Sequence, residues 1–256
     1  MVMPMADVLV LPTPEQAVHD AAQFVAALAE DCSPSQGRFT IALSGGSTPR
    51  LLYQALASPP YAQRIAWDRW QVFWGDERCV PPDHEDSNYL MAERVLLDHV
   101  PIPPPQVHRM RGEVAPEEAA LEYEDIVRNS FQVAIPSFDL ILLGLGDDGH
   151  TASLFPGTQA LQEEHRLVVP NWAPHLQVPR ITFTLPLINA AREVVFLVAG
   201  QSKANAVTQV LGPSAENSTL PAALVRPTNG SVRWFLDTEA SSLLEGSQHE
   251  ARAIRE

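Results

Sequence analysis

The chain has 256 residues, 45% hydrophobic and 19% charged, with 13 glycines and 23 prolines. That is ordinary globular composition, long enough for one large α/β domain or two small ones; a single domain with its core over about residues 7–238 is expected. A formal net charge of -14 argues against nucleic acid or an anionic membrane as partner, since both need a basic surface. Cys32 and Cys79 lack metal-ligand spacing and leave a disulfide open. The start, MVMPMADVLV, has no basic n-region, so no signal peptide is read. No window approaches ~18–20 uninterrupted apolar residues. The expectation is a soluble, cytoplasmic protein, a monomer or weak homo-oligomer, acting on a small molecule.

In chain order, DVLVL (7–11) reads as a strand and residues 13–31 as a helix. Thr13 caps that helix, Pro14 suits its first turn, and Ala17, Ala21, Phe24, Val25 and Leu28 form one apolar face. FTIAL (39–43) is a strand that breaks at SGGS before a second helix. WQVFW (70–74) is a strand, followed by a long polar loop and a helix from about Ser87 to Leu97. The proline-rich VPIPPPQVHRM (100–110) reads as extended chain over the surface. Residues 115–131 are helical. FDLILLGLG is a near-continuous apolar strand, as expected where both sheet faces are covered. RITFTLPLINAA (180–191) follows, then a strand (193–200), a helix (201–211) and a last strand (231–237). The tail after it reads as a frayed or loosely helical segment. Strands alternating with helices predict an α/β fold: a Rossmann-like open, mostly parallel sheet with helices on both faces. Ligands in such sheets sit beyond the carboxyl ends of the strands. The segments there are SGGSTP, GDERCVPPDHEDSN, GLGDDGHTASLFP and GQSK.

Gly144, Gly146 and Gly149 have the G-x-G-x-x-G spacing of a dinucleotide turn. Their context fails it. Asp147 and Asp148 would repel a pyrophosphate, and Pro156 and Gly157 leave no room for the helix such a turn opens. The next apolar run, LVV (167–169), ends in Pro170 without the ribose-binding acid. A glycine-rich active-site loop is the better reading.

Ser44-Gly45-Gly46-Ser47 suits an anion better. Thr48 is a candidate N-cap and Pro49 a first helical residue. The glycine N–H groups, the hydroxyls of Ser44, Ser47 and Thr48, and the helix N-terminus can together hold a phosphate. Of the 17 basic residues only Lys203 is lysine. It falls in the first turn of a helix, where a cation is unfavourable unless an anion is bound. None of the eight histidines pairs at H-x-H or H-x-x-x-H spacing, so no metal site is expected. His150 stands out because it follows a buried strand with carboxylates beside it, which orient the ring. No G-x-S-x-G nucleophile elbow is present.

Together, ALSGGSTPRLLY, WGDERCVPPDHEDSNYLMAERVLL, LLGLGDDGHTASLFPGT, RITFTLPLINAAREVVFLVAGQSKANAV and GSVRWFLD resemble the 6-phosphogluconolactonase family over about residues 39–237. The resemblance implies a Rossmann-like fold shared with glucosamine-6-phosphate deaminases, and no cofactor. It implies hydrolysis of a phosphosugar lactone. His150 would activate water, Asp148 would support it, and Asp76 would shape the pocket. Arg78 and Arg180 would contact the phosphate or the developing carboxylate, with Lys203 and Gly45–Thr48 completing the anion site.

Two alternatives follow from the same residues. A deaminase/isomerase shares the glycine loop and GxGxDGH, but the resemblance implies a glutamate where this chain has Phe155. A non-catalytic sugar-phosphate sensor would keep the phosphate loop with no need of His150.

Overall fold

The computed structural model describes residues 7–173, 178–213, 215 and 218–244. The main sheet holds β1 (Asp7–Leu11), β2 (Phe39–Leu43), β3 (Trp70–Trp74), β5 (Leu140–Leu143), β8 (Glu193–Val198) and β9 (Ser231–Asp237). Their spatial order is β1-β9-β8-β5-β2-β3, and every pairing is parallel. A second sheet is antiparallel: β4 (Asp76–Arg78), β7 (Pro179–Phe183) and β6 (Val168–Trp172), with β7 in the middle.

The apolar run around β5 has a simple cause. Leu140 and Leu142 pack into the core on one face, and Ile141 and Leu143 into the core on the other. β8 and β9 divide in the same way, and Phe196 stacks on its register partner Trp234 at 3.8 Å between ring centroids. A strand buried on both faces has no polar positions to alternate.

One face is covered by α1 (Pro14–Gln36) and α2 (Ser47–Leu56), the other by α5 (Pro116–Phe131) and α7 (Ala204–Leu211). The main-sheet core beneath α1 accepts a row of buried alanines: Ala17, Ala21, Ala22, Ala26 and Ala29. Such small side chains let the helix approach the sheet closely. Thr13 Oγ1 accepts from the Gln16 backbone N–H at 3.3 Å, the expected cap. The helix runs five residues past the expected end, to Gln36. Three further helices are α3 (Tyr61–Arg64), α4 (Asn88–Val95) and α6 (Leu185–Ile188).

Four details depart from the sequence reading. The long polar loop after β3 contains β4, because Gly75 carries the chain directly from one sheet into the other; its N–H donates to the Leu43 carbonyl. LVV does not end at Pro170: β6 continues through it to Trp172, as an edge strand where a missing N–H costs no ladder bond. The proline-rich connector is no loose surface strap. His108 N–H donates to the Val72 carbonyl at 2.8 Å, and Val100, Ile102 and Met110 are buried. It shields the open edge of β3. Finally, α2 begins at Ser47 after Gly46, with no side-chain cap; Thr48 and Pro49 lie inside its first turn. Cys32 and Cys79 form no disulfide. The first part of the tail is ordered by burial of Ala240 and Ser241; the tail beyond residue 244 lies outside the described residues. No described helix is long and apolar enough to cross a membrane.

Candidate active site

β2 leads on to β3 in one direction across the sheet, and β5 to β8 in the other. The order therefore reverses between β2 and β5, and a ligand crevice is expected beyond the carboxyl ends of those two strands. A cleft of about 300 Å³ opens there. It gathers residues from all four post-strand segments, among them Gly45, Arg78, His150 and Lys203, together with Arg180 of β7.

The segment after β2 brings Ser44, Gly45 and Gly46 to the cleft; Ser47 and Thr48 do not line it. Ser44 is pinned through its backbone. Its N–H donates to the Tyr53 hydroxyl, which in turn donates to the Ser44 carbonyl. The Ser44 side-chain hydroxyl is buried without a protein partner, which leaves it for a ligand in the cleft it lines. A Cβ on Gly45 would overlap the Asn88 carboxamide, so glycine is needed for this close approach.

Arg78 and Arg180 are register partners across the β4–β7 ladder, so two guanidinium side chains start from directly opposite positions. Arg78 Nη1 donates to the Asp86 carbonyl. Arg180 Nε is buried without a protein partner. Burial and the Arg78 charge lower the Arg180 pKa from its ordinary value. Like charges directly opposite on a ladder are unfavourable, and a pair of this kind facing a cleft has the donors and charge that an anion could satisfy.

Beneath them, the buried Glu77 carboxylate accepts from the backbone N–H groups of Arg78, Asn88 and Tyr89 and from the Ser87 hydroxyl. Burial nonetheless raises its pKa above the usual carboxylate range. The arrangement fixes the first turn of α4 against β4. It also orients Asn88, whose Nδ2 donates to the Asp76 carbonyl at 2.9 Å.

The loop after β5 is tight. Gly146 N–H donates to the His150 carbonyl at 2.8 Å, Gly149 N–H to the Gly146 carbonyl, and Thr151 Oγ1 to the Gly144 carbonyl. A Cβ on Gly146 would run into the His150 ring. Ala152 is left-handed, with φ of 48°, an uncommon conformation for a residue with a Cβ. Asp148 Oδ1 accepts from the His150 backbone N–H at 3.1 Å and from ring Nδ1–H at 2.6 Å. Partial burial disfavours the Asp148 carboxylate, but these His150 bonds outweigh it and hold its pKa below the ordinary value. An ionised carboxylate only accepts, so Nδ1 carries the proton and Nε2 is the unprotonated nitrogen of the neutral ring. Phe155 packs on the imidazole at 4.7 Å between centroids.

Lys203 ends a short 3-10 turn, Gln201–Lys203, just ahead of α7. The turn is anchored by buried Asp237, whose carboxylate accepts from the Gly200 N–H. Lys203 Nζ donates to Asp147 Oδ1 at 2.6 Å. Among the described residues no His, Cys, Asp or Glu cluster could hold a metal ion.

The family model for glucosamine-6-phosphate isomerases/6-phosphogluconolactonase matches residues 12–234. The chain belongs to that family. A 6-phosphogluconolactonase of Nostoc sp. is 49% identical over 214 residues, covering 82% of this chain and 86% of the relative. One of Haemophilus influenzae is 41% identical over 206 residues, covering 80% and 87%. A solved 6-phosphogluconolactonase of Trypanosoma cruzi superposes with a TM-score of 0.85 at 30% identity, over 95% of this chain and 98% of that one. Each of these three relatives is named as a 6-phosphogluconolactonase.

Sequence reasoning missed several groups in this family member's cleft wall. Ser153 Oγ donates to Asp76 Oδ2 at 2.6 Å, and its N–H to Thr182 Oγ1. Asn171 Nδ2 donates to the Ser153 carbonyl. These partners lie 18 to 77 residues apart in sequence, so no local pattern joins them. Asp147, read as a carboxylate that repels pyrophosphate, is the partner of Lys203.

Proposed function

We propose that this protein hydrolyses the ring ester of 6-phospho-D-glucono-1,5-lactone to 6-phospho-D-gluconate, the second step of the oxidative pentose phosphate pathway, as a single-domain cytoplasmic enzyme. The observation that carries the reading is the 2.6 Å Asp148–His150 bond in the cleft that also holds Arg78 and Arg180. The lactonase names of the relatives support it.

A δ-lactone is an activated ester, so water can attack it with general-base help alone. His150 Nε2 takes a proton from water as the water oxygen bonds to the lactone carbonyl carbon. The tetrahedral intermediate collapses by breaking the bond to the ring oxygen, which takes the proton back from His150. The acid then ionises to a carboxylate. Asp148 holds the tautomer and stabilises the imidazolium, while general-base catalysis by His150 contributes roughly 10²–10⁴-fold. The remote phosphate is held by the Ser44–Gly46 segment, Arg78, Arg180 and Lys203, which contributes positioning rather than bond-making. Asp76 shapes the pocket through Ser153 and Asn88. Phe155, an apolar ring on the imidazole, offers no carboxyl group for amine chemistry.

The test is acid release from freshly generated lactone, measured against the spontaneous rate and against His150→Ala. Ammonia formed from glucosamine 6-phosphate would overturn the assignment in favour of deamination.

A further inference from the structure

Asp147 and Lys203 come from the loops that follow β5 and β8, adjacent strands of the main sheet. Lys203 lines the cleft and Asp147 does not. The Asp147 side chain is 69% exposed and that of Lys203 28%. The carboxylate therefore approaches the ammonium from the solvent side and keeps much of its hydration. We propose that Asp147 is an exchangeable counter-ion: it occupies Lys203 in the free protein and yields it to the phosphate group of the ligand.

Three considerations support the exchange. Lysine is a compact point charge on a flexible stem, so its ammonium can swing between partners without rebuilding a planar fork. A pair whose carboxylate is exposed to solvent is weakened by hydration and screening and is easily replaced. A phosphate dianion in the cleft also engages Arg78 and Arg180, whereas Asp147 offers one negative charge from outside. Asp147 thus resolves the unfavourable placement of a cation ahead of α7 when no ligand is bound. It also lowers affinity below what the three cations alone would give. That matters after ring opening, because the product carries one more negative charge than the lactone. Return of Asp147 to Lys203 then competes the product off.

The inference rests on the reading of Lys203 as a phosphate ligand. Calorimetric titration of inorganic phosphate into the full-length protein tests it without any need for turnover. Asp147→Asn and Asp147→Ser are expected to bind phosphate roughly two- to fivefold more tightly than the parent, and the gain is expected to vanish in a Lys203→Met background. Equal or weaker binding by both Asp147 variants overturns the proposal, as does a gain that survives Lys203→Met, or an absence of phosphate binding in parent and variants alike. Lactone turnover is read separately. Tighter phosphate binding without turnover leaves the counter-ion in place and removes the lactonase reading instead.

Discussion

Ser153 Oγ and Asp76 Oδ2 stand 2.6 Å apart, both buried. This bond joins the loop that presents His150 to the strand that presents Arg78. Through Asn88, Asp76 is tied in turn to the segment around Gly45. The proposed water-activating and anion-binding halves of the cleft are thereby joined by hydrogen bonds at Asp76 and by close packing of Asn88 on Gly45. Ser153→Ala leaves a buried carboxylate short of a donor, a loss of about 1–3 kcal/mol. Denaturant unfolding should show that loss, and lactone kinetics should show a lower kcat together with a higher KM.

Gly146→Ala places a methyl group where the His150 ring now lies. The ring must move off Asp148, and turnover should fall by at least about 10²-fold, the lower end of what a positioned base contributes. Phosphate affinity should stay near the parent value, because Gly146 lies outside the proposed anion-binding set. A variant with near-parental kcat would show that the Asp148–His150 geometry is not what sets the rate.

His150→Ala should retain the fold and phosphate binding while losing roughly 10²–10⁴-fold in kcat. Asp148→Ala should fall between that variant and the parent, since the base remains but its tautomer and orientation are no longer held. Circular dichroism and phosphate titration separate these losses from unfolding.

His108 gives a pH dependence remote from the cleft. It stacks on Phe73 at 4.4 Å and its Nε2 pairs with Gln71 Oε1. Burial lowers its pKa below the ordinary 6.5. Above that value the ring is neutral in both folded and unfolded chains, and its contribution to stability is fully present. As the pH falls below 6.5 the unfolded chain takes the proton first, so stability declines until the folded ring titrates too. His108→Gln should flatten this part of the profile. Unfolding free energies measured between pH 5 and about 7.5 decide it; an unchanged slope would mean that the ring does not differ between the two states.

The parallel sheet was legible because each of its strands is a compact apolar run and the helices between them carry apolar stripes. The three-stranded sheet was not. β4 has only three residues, all of them charged, and β6 runs through a proline. Their pairing depends on chain crossing from one sheet to the other at Gly75, which leaves no periodicity to read. In the cleft, the glycine loops and His150 were visible as unusual residues directly after strands. Glu77 and Asn88 were not singled out, because a buried carboxylate and a carboxamide look like surface residues until their backbone donors are placed around them. Lys203 posed the right electrostatic question from sequence, but its answer, Asp147, lay 56 positions away.

The opposed guanidinium side chains of Arg78 and Arg180 also bear on how this protein is handled. A site that concentrates like charge is relaxed by any small anion that enters it, and binding to the folded state alone raises apparent stability, by about 2.7 kcal/mol at a hundred times the dissociation constant. On the proposed anion-binding role, melting temperatures taken in phosphate or sulfate are expected to describe a partly liganded molecule. The choice of buffer becomes a variable of the experiment, and mutant comparisons hold only when the anion is held fixed.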